Sequence, residues 1–188
     1  MATDVSAEQV ARAVPADHVE YRVAPADASG LEGRSVGLVT VAQALHWFPT
    51  DAFFGEVRRV SAADGMIAVW CYASCHAGDD VEALLREFED DTMGPYWNPA
   101  RRYVDEEYRT IPFPFDEVSA PTFVLHKVWT LEQFAGYLRS WSAVGTYFIK
   151  HKQDPLVPFL KQLGKLWGPA GSTRDVRWPL FMRVGRVG

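Results

Sequence analysis

The chain has 188 residues, 48% of them hydrophobic and 23% charged, and a formal net charge of −5 at pH 7. This length suits one domain with its own core, and the acidic balance argues against a nucleic-acid partner, which a basic surface would bind. No apolar segment approaches the ~20 residues that span a membrane, and the first residues lack the basic and apolar regions of a signal peptide. We therefore expect a cytoplasmic protein of one domain, with no membrane or nucleic-acid partner.

The predicted elements begin with a short helix and a strand. Ser6 is a candidate helix N-cap, and Gln9, three residues later, is its capping-box partner. The alternating segment Val19–Val23 is typical of a strand. Residues 24–35 contain proline and glycine and predict a loop.

A strand, a helix and a second strand are predicted between residues 38 and 72. The apolar, β-branched run Leu38–Val41 is typical of a strand buried on both faces. An amphipathic helix follows Pro49 and is expected to end near Asp64–Gly65. The apolar run Met66–Tyr72 then predicts the second strand. Together these elements have the size of a βαβ unit.

Helices and two further strands are predicted in the second half of the chain. Helices are expected over Asp79–Met93, from Thr130 to about Trp141, over Ala143–Lys150 and from Pro155 onward. Strands are expected over Thr122–Trp129 and Arg174–Val187, with a long irregular segment over Pro95–Pro114. The acidic residues Glu87–Asp91 are expected to form a solvated helix end.

A ligand crevice is predicted where the two central strands end. Open α/β sheets bind ligands beyond the carboxyl ends of their strands, and here those ends are Ala42–Trp47 and Trp70–Cys75. Aromatic residues make up 13% of the chain. Their clusters at Pro95–Tyr103 and Trp141–Phe148 are candidates for the wall of an apolar pocket.

Several segments of the chain resemble a known enzyme family. Three of them, Val39–Phe48 (Val-Thr-Val-Ala-Gln-Ala-Leu-His-Trp-Phe), Glu56–Val60 and Asp64–Trp70, together resemble motifs IV and V of class I S-adenosylmethionine-dependent methyltransferases. The branch that is most similar contains small-molecule enzymes of the trans-aconitate methyltransferase type. Later segments are similar to the C-terminal part of that branch: Gly94–Trp97, Tyr137–Ser142 and Arg177–Phe181. The likeness covers nearly all of the chain.

This resemblance implies a fold, and the chain departs from the pattern of the family at its N-terminal end. The implied fold is α/β, with a Rossmann-like methyltransferase sheet that is mostly parallel and has an antiparallel C-terminal strand. Residues 1–75 would belong to the cofactor-binding half of the single domain, and residues 76–188 would supply the substrate-side helices and the C-terminal strands. The family's first strand and glycine-rich loop should precede Asp4, and no Gly-x-Gly occurs in the chain. We therefore expect an N-terminally truncated domain with impaired cofactor binding, whose exposed sheet edge promotes self-association.

The implied activity is methyl transfer from S-adenosylmethionine to a small molecule, such as a carboxylate or a hydroxyl. Six residues are carried over to the cofactor site: Asp4, Ala26, Asp27, Ala42, Gln43 and Ala44. In the family, the residue at the place of Asp4 binds the ribose hydroxyls, and the loop at Ala26–Asp27 flanks the adenine. Ala42–Ala44 would face the methionine moiety.

Acceptor binding is expected to involve aromatic and cationic side chains. His46 and Trp47 would border the methyl group and the acceptor, and His46 is the candidate base for a hydroxyl acceptor. The candidate substrate-binding residues are Trp47, Trp70, Tyr72, Tyr96, Trp97, Arg101, Tyr103 and Trp141. The two cysteines, Cys71 and Cys75, match no metal-ligand spacing, so we expect no metal site.

Simpler roles remain open for several of these residues, and other functions remain open for the chain. Asp4 would also suit an exposed position beside a helix start, His46 a structural role, and Arg101 the solvated surface. One alternative function is a non-catalytic remnant that binds a ligand or a partner chain. Another is a nucleotide-dependent oxidoreductase on a similar sheet. The missing glycine loop counts against this function as much as against methyl transfer.

Overall fold

The computed structural model describes residues 1–188 as a mixed chain of helices and strands. The strands are β1 (Ala2–Asp4), β2 (Tyr21–Val23), β3 (Val36–Ala42), β4 (Ser61–Tyr72), β5 (Asp116–Val118), β6 (Phe123–Thr130) and β7 (Thr173–Arg186). The α-helices are α1 (Ala7–Ala11), α2 (Thr50–Val60), α3 (Asp79–Glu87), α4 (Arg101–Asp105), α5 (Leu131–Arg139), α6 (Ser142–His151) and α7 (Leu156–Trp167). None of these helices is both long enough and apolar enough to cross a membrane.

Five strands form one hydrogen-bonded sheet in the order β3-β4-β7-β5, and β6 also pairs with β7. β3 and β4 are parallel, so the segment β3–α2–β4 is the predicted βαβ unit. β7 runs antiparallel to both β5 and β6. The predicted Rossmann-like α/β fold with an antiparallel C-terminal strand is therefore confirmed.

The strand β3 is less buried than predicted. Of its seven residues only Val41 is buried, and the side chain of Leu38 is 55% exposed. β3 stands at the end of the five-stranded sheet and pairs only with β4, while β1 and β2 pair with each other in a separate parallel sheet. The prediction of a strand buried on both faces is wrong because β3 is an edge strand. β3 therefore has the expected exposed edge, along which one row of backbone N–H and C=O groups faces no neighbouring strand.

The helix α2 buries the face predicted for it but ends earlier. Its buried apolar residues are Phe53, Phe54, Val57 and Val60. The chain becomes extended at Ser61 rather than near Asp64, and the pairing of β4 with β3 is irregular until Met66. A Cβ on Gly65 would lie 2.9 Å from the carbonyl oxygen of Ala62, so this tight bend needs glycine. The residues just before Gly65, which sequence periodicity assigned to the helix, form this bend instead.

Two capping predictions are confirmed in atomic detail. The Oγ atom of Ser6 accepts a hydrogen bond from the backbone N–H of Gln9 at 3.2 Å, at the start of α1. Thr130 and Gln133 form a reciprocal capping box at the start of α5, with distances of 3.3 and 2.9 Å. These local signals can be recognised in sequence because each joins residues three positions apart.

The helix predicted over Asp79–Met93 is observed as α3 followed by a π-helical turn over Phe88–Thr92. A 3-10 turn follows at Gly94–Tyr96. The segment Pro95–Pro114, expected to be irregular, contains α4. The predicted strand and helices of the second half correspond to β6, α5, α6 and α7.

The chain divides into two compact units. Unit 1 consists of residues 1–71, 107–122 and 181–188, and unit 2 consists of residues 72–106 and 123–180. In unit 1, the ring of Phe54 packs edge-on against Phe113 and Phe115, with ring centroids 6.1 and 5.3 Å apart. In unit 2, Phe88 stacks on Phe159 with ring centroids 4.1 Å apart. Each unit therefore contains an aromatic cluster of its own.

Candidate active site

The carboxyl ends of β3 and β4 meet in unit 1 as predicted. Ala42 lies directly opposite Trp70 in the ladder, and the backbone N–H of Gln43 donates to the Trp70 carbonyl at 2.8 Å. Gln43 has φ of 51°, a left-handed conformation that is uncommon for a side chain other than glycine. This bend ends β3 and leads into a 3-10 turn, Leu45–Trp47. The turn carries His46, the candidate catalytic residue.

His46 is bonded to a buried tyrosine that sequence analysis did not single out. The Nδ1 atom of His46 lies 2.8 Å from the hydroxyl of Tyr108, and only 1% of Tyr108 is exposed. Burial raises the pKa of the Tyr108 hydroxyl, and the nearby Cys71 raises it further. Tyr108 therefore holds its proton at neutral pH. Trp47 is 54% exposed, and its ring centroid lies 4.6 Å from that of His46.

The turn that carries Tyr108 has an unusual backbone and is held from β7. Glu107 and Tyr108 both have positive φ, 58° and 60°. The Nη1 atom of Arg183 donates to the carbonyls of Tyr108 and Ile111, at 2.9 and 2.8 Å. Glu117 in turn binds the Arg183 guanidinium through both oxygens, at 2.9 and 2.8 Å. Left-handed residues of this kind persist only where their surroundings fix them, and Arg183 supplies that restraint.

The residues predicted to bind the cofactor lie at strand ends and in the loop after β2. Asp4 is exposed at the end of β1, and its Oδ1 atom accepts a hydrogen bond from the Ser6 backbone at 2.7 Å. Ala26 and Asp27 are half-buried in the loop. Ser29 fixes this loop to α2, because its N–H and hydroxyl both donate to Glu56, at 2.9 and 2.5 Å.

Two predicted substrate residues of unit 2 belong to an aromatic stack. The ring centroids of Trp97 and Trp141 lie 5.4 Å apart, and the guanidinium of Arg101 lies 4.3 Å above the ring of Trp97. Trp141 is only 8% exposed and is part of the hydrophobic core of this unit. Its position therefore serves packing, while Trp97 and Arg101 are half-buried.

Tyr96 and Tyr103 lie outside that stack. The hydroxyl of Tyr96 lies 2.7 Å from Nε2 of His151. The hydroxyl of Tyr103 accepts a hydrogen bond from Arg102 at 3.0 Å. Tyr72 is the last residue of β4 and is half-buried against the core of unit 2.

Glu89 corrects the prediction of a solvated helix end. Only 6% of Glu89 is exposed, because the π-helical turn directs it inward. Its Oε1 atom accepts hydrogen bonds from the Ser74 hydroxyl at 2.7 Å and from Arg101 at 2.6 Å. Arg101 also donates to Asp105 at 2.7 Å. Two carboxylates thus already bind the guanidinium of this candidate substrate-binding residue.

The environment around Glu89 disfavours the thiolate form of the neighbouring Cys75. Burial, together with the charge of Glu89, raises the pKa of the Cys75 thiol to about 12. A recess of about 160 Å³ lies beside these residues in unit 2. No group of three or more His, Cys, Asp or Glu side chains is arranged to hold a metal ion.

Comparison with known proteins gives the family of the chain. The family model described as a methyltransferase domain matches residues 1–69. A Dictyostelium discoideum protein named as a methyltransferase is 31% identical over 184 residues, which are 95% of this chain and 70% of that protein. The solved structure of an Anaeromyxobacter dehalogenans protein, named as a type II methyltransferase, matches with a TM-score of 0.89 and 34% identity. That match covers 98% of this chain and 79% of the other.

The chain belongs to the class I S-adenosylmethionine-dependent methyltransferases. A probable S-adenosylmethionine-dependent methyltransferase of Saccharomyces cerevisiae is 29% identical over 143 residues, 62% of this chain. This methyltransferase chain spans about half of that protein, 49% of its length.

The residues of this methyltransferase chain fit part of the family's cofactor. Asp4 offers an exposed carboxylate at a strand end, which can accept hydrogen bonds from two hydroxyl groups. Gln43 and Ala44 form the bend at the end of β3. The sequence contains no Gly-x-Gly. The Asp4 carboxylate and the bend at Gln43 are therefore chemically suited to parts of S-adenosylmethionine.

Proposed function

We propose that this methyltransferase chain transfers a methyl group from S-adenosylmethionine to a small-molecule acceptor. The observation that supports this most is the parallel pair β3–β4, where the bend at Gln43 leads into the turn that carries His46. Ligands of open α/β sheets bind at such strand ends. Membership of the trans-aconitate methyltransferase-like branch and a cytoplasmic location are part of the same proposal.

The proposed cofactor contacts all lie in unit 1. Asp4 accepts hydrogen bonds from the ribose hydroxyls, and Ala26 and Asp27 contact the adenine. The loop that carries Ala26 and Asp27 is held in place by the bonds between Ser29 and Glu56. The methionine end is contacted by the residues at the end of β3, which are Ala42, Gln43 and Ala44.

The proposed chemistry depends mainly on alignment. When bound, S-adenosylmethionine supplies a methyl group that its sulfonium already activates. The residues of this chain orient the acceptor and exclude water. A hydroxyl acceptor needs a base, for which His46 is the candidate, whereas a carboxylate acceptor needs none. Trp47 and Trp70 are proposed to contact the acceptor, and the substrate roles predicted in unit 2 stay predictions.

We further propose that the 188-residue chain binds the cofactor weakly. The contacts of a glycine-rich loop are missing from its sequence. Each hydrogen bond lost is worth ~0.5–1.5 kcal/mol. Losing roughly three or four of them weakens binding by about one to four decades, at about 1.4 kcal/mol per decade. A site of about micromolar affinity would then bind with a Kd between about 10 μM and about 10 mM.

Titration of the chain with S-adenosylhomocysteine and, separately, with NADH tests this function. We expect weak binding of S-adenosylhomocysteine, detected as shifts of the backbone amides of Asp4 and Gln43, and no response to NADH. Asp4→Asn should reduce the shifts. Asp17→Asn, which changes an exposed aspartate outside the proposed site, should not.

The outcomes separate function from affinity. Micromolar binding of S-adenosylhomocysteine would support the function and contradict the proposed weakness. Binding of NADH with no amide shift at Asp4 or Gln43 on adding S-adenosylhomocysteine would contradict the function itself. Binding of neither ligand, even at millimolar concentration, would favour the non-catalytic alternative.

A further inference from the structure

The bond between His46 and Tyr108 joins a candidate catalytic ring to a fully buried hydroxyl. The two residues are 62 positions apart in sequence, and the atoms that meet are Nδ1 of the imidazole and the phenol oxygen, at 2.8 Å. A neutral imidazole carries one proton, either on Nδ1 or on Nε2. The direction of this single hydrogen bond therefore decides which ring nitrogen of His46 is protonated.

The burial of the phenol indicates that direction. Only 1% of Tyr108 is exposed, so its O–H group needs an acceptor inside the protein. Nδ1 of His46, 2.8 Å from the phenol oxygen, is in position to accept from it. A proton on Nδ1 would instead direct an N–H group at the same oxygen and take away this acceptor for a buried O–H group.

The backbone around Tyr108 is restrained in a way that fixes the hydroxyl. Glu107 and Tyr108 have consecutive positive φ angles, and Arg183 holds the carbonyls of Tyr108 and Ile111. The side chain of Arg183 is only 17% exposed and its guanidinium lies 4.5 Å above the ring of Phe113. The hydroxyl is thus placed by a strained, well-anchored turn, as is common beside functional groups.

We propose that Tyr108 is a positioning residue that holds neutral His46 in the tautomer with its proton on Nε2. In this tautomer His46 presents an N–H donor through Nε2. To act as a base it would have to accept a proton at Nδ1, which means breaking the bond to Tyr108. With its proton on Nε2, His46 serves the site as a hydrogen-bond donor to an oxygen of the bound ligand, and this role replaces the role of base considered above for a hydroxyl acceptor.

The role toward a ligand rests on the proposed methyl transfer, but the tautomer does not. It can be measured on the chain alone, without cofactor or acceptor. A protein that shows no methyl transfer and yet keeps the proton of His46 on Nε2 would count against the proposed function only.

Nitrogen NMR of the imidazole rings tests the tautomer directly. The full chain is labelled with ¹⁵N-histidine and studied at about pH 9, where an ordinary imidazole with a pKa of about 6.5 is neutral. Protonated and unprotonated ring nitrogens resonate in well-separated regions and give different long-range couplings to the ring protons. We expect a protonated Nε2 and a hydrogen-bonded, unprotonated Nδ1 for His46.

Two matched substitutions show whether Tyr108 is responsible. Tyr108→Phe removes the hydroxyl and keeps the ring, so the Nδ1 resonance of His46 should move toward that of a ring nitrogen without a donor. Tyr96→Phe removes the comparable hydroxyl that lies 2.7 Å from Nε2 of His151. It should change the resonances of His151 and leave those of His46 in place.

Two results would overturn the proposal. One is a proton on Nδ1 of His46 in the unsubstituted chain, a measurement that holds even if Tyr108→Phe fails to fold. The other is a spectrum of His46 that is the same with and without the Tyr108 hydroxyl.

Discussion

Glu56 is a carboxylate on α2 whose charge is well compensated. It is 9% exposed, and Arg59 binds both of its oxygens, at 2.7 and 2.8 Å. This ion pair, together with the two bonds from Ser29, lowers the pKa of Glu56 from 4.5 to about 2, against the opposing effect of burial. Arg59 also donates to the carbonyl of Leu31 at 2.7 Å. One side chain thus ties the loop of the proposed adenine site to a helix.

The pKa of Glu56 predicts how stability depends on pH. Because the folded-state value lies below the unfolded one, the carboxylate stabilises the fold fully above about pH 5, and this is lost as pH falls toward about 2. The shift corresponds to at most about 3 kcal/mol. Glu56→Gln should therefore lower the free energy of unfolding by ~1–3 kcal/mol at pH 7, and the difference should shrink toward pH 2. Chemical denaturation at a series of pH values measures this.

Glu8→Gln is the matched control for Glu56. Glu8 pairs with Arg12, but their side chains are 72% and 76% exposed. Exposed pairs of this kind are worth ~0.2–1 kcal/mol at most. A pH-independent difference between the Glu56→Gln and unsubstituted chains would mean that the pKa of Glu56 is not lowered by folding.

Residue positions such as these were only partly predictable from sequence. Asp4 and His46 could be proposed as candidates because a motif-like segment and a strand end mark them. Tyr108 could not, because its partner lies 62 positions away and nothing local distinguishes this tyrosine from the others. Glu89 was expected in solvent because its acidic neighbours dominate the pattern, and a single π-helical turn is enough to reverse its direction.

At the level of elements, β7 supports the site through Arg183. Arg183→Met removes the donor to two backbone carbonyls and leaves Glu117 without its cation. Since the Arg183 side chain is 17% exposed, we expect a loss of about 1–3 kcal/mol in the free energy of unfolding. Denaturant unfolding followed by tryptophan fluorescence would measure it.

Arg186→Met offers a comparison on the same strand. Arg186 faces Asp116 at 3.6 Å, with side chains 63% and 78% exposed, so its loss should cost less than about 0.5 kcal/mol. If both substitutions cost the same, the bonds of Arg183 to the Tyr108 turn contribute little to stability.

Elements with local signals were predicted well, and those defined by partners were not. The Ser6 N-cap of α1 and the capping box of α5 depend on residues three positions apart and were predicted correctly. The burial of β3 depends on which strand lies beside it, and a run of apolar residues looks the same in a central and an edge strand. The early end of α2 similarly depends on a close approach at Gly65 that periodicity cannot reveal.

For the whole molecule, the edge of β3 predicts self-association. This strand has one unpaired edge and carries the exposed Leu38 side chain. Apolar edges of this kind template pairing with another chain, and lysine on an edge opposes it. We expect the sedimentation coefficient of the chain to rise with concentration and Leu38→Lys to reduce this dependence. Val157→Lys, on the exposed face of α7 at 66% exposure, is the control.

A chain that sediments as a monomer over the whole concentration range would rule out association through β3. An equal effect of Leu38→Lys and Val157→Lys would instead point to general apolar attraction, since Val157 lies on a helix and not on a sheet edge.

The discontinuity of unit 1 has a consequence for how the protein is made. Its three segments end with residues 181–188, and Arg183 lies among them. A ribosome delivers the chain from its N-terminus, so the turn at Tyr108 emerges long before the arginine that restrains it. Until residue 183 leaves the exit tunnel, the hydroxyl opposite His46 has no fixed place. The candidate site is therefore completed only after Arg183, 75 positions beyond Tyr108, has emerged, and a nascent chain stalled before that point should resemble a chain without Arg183.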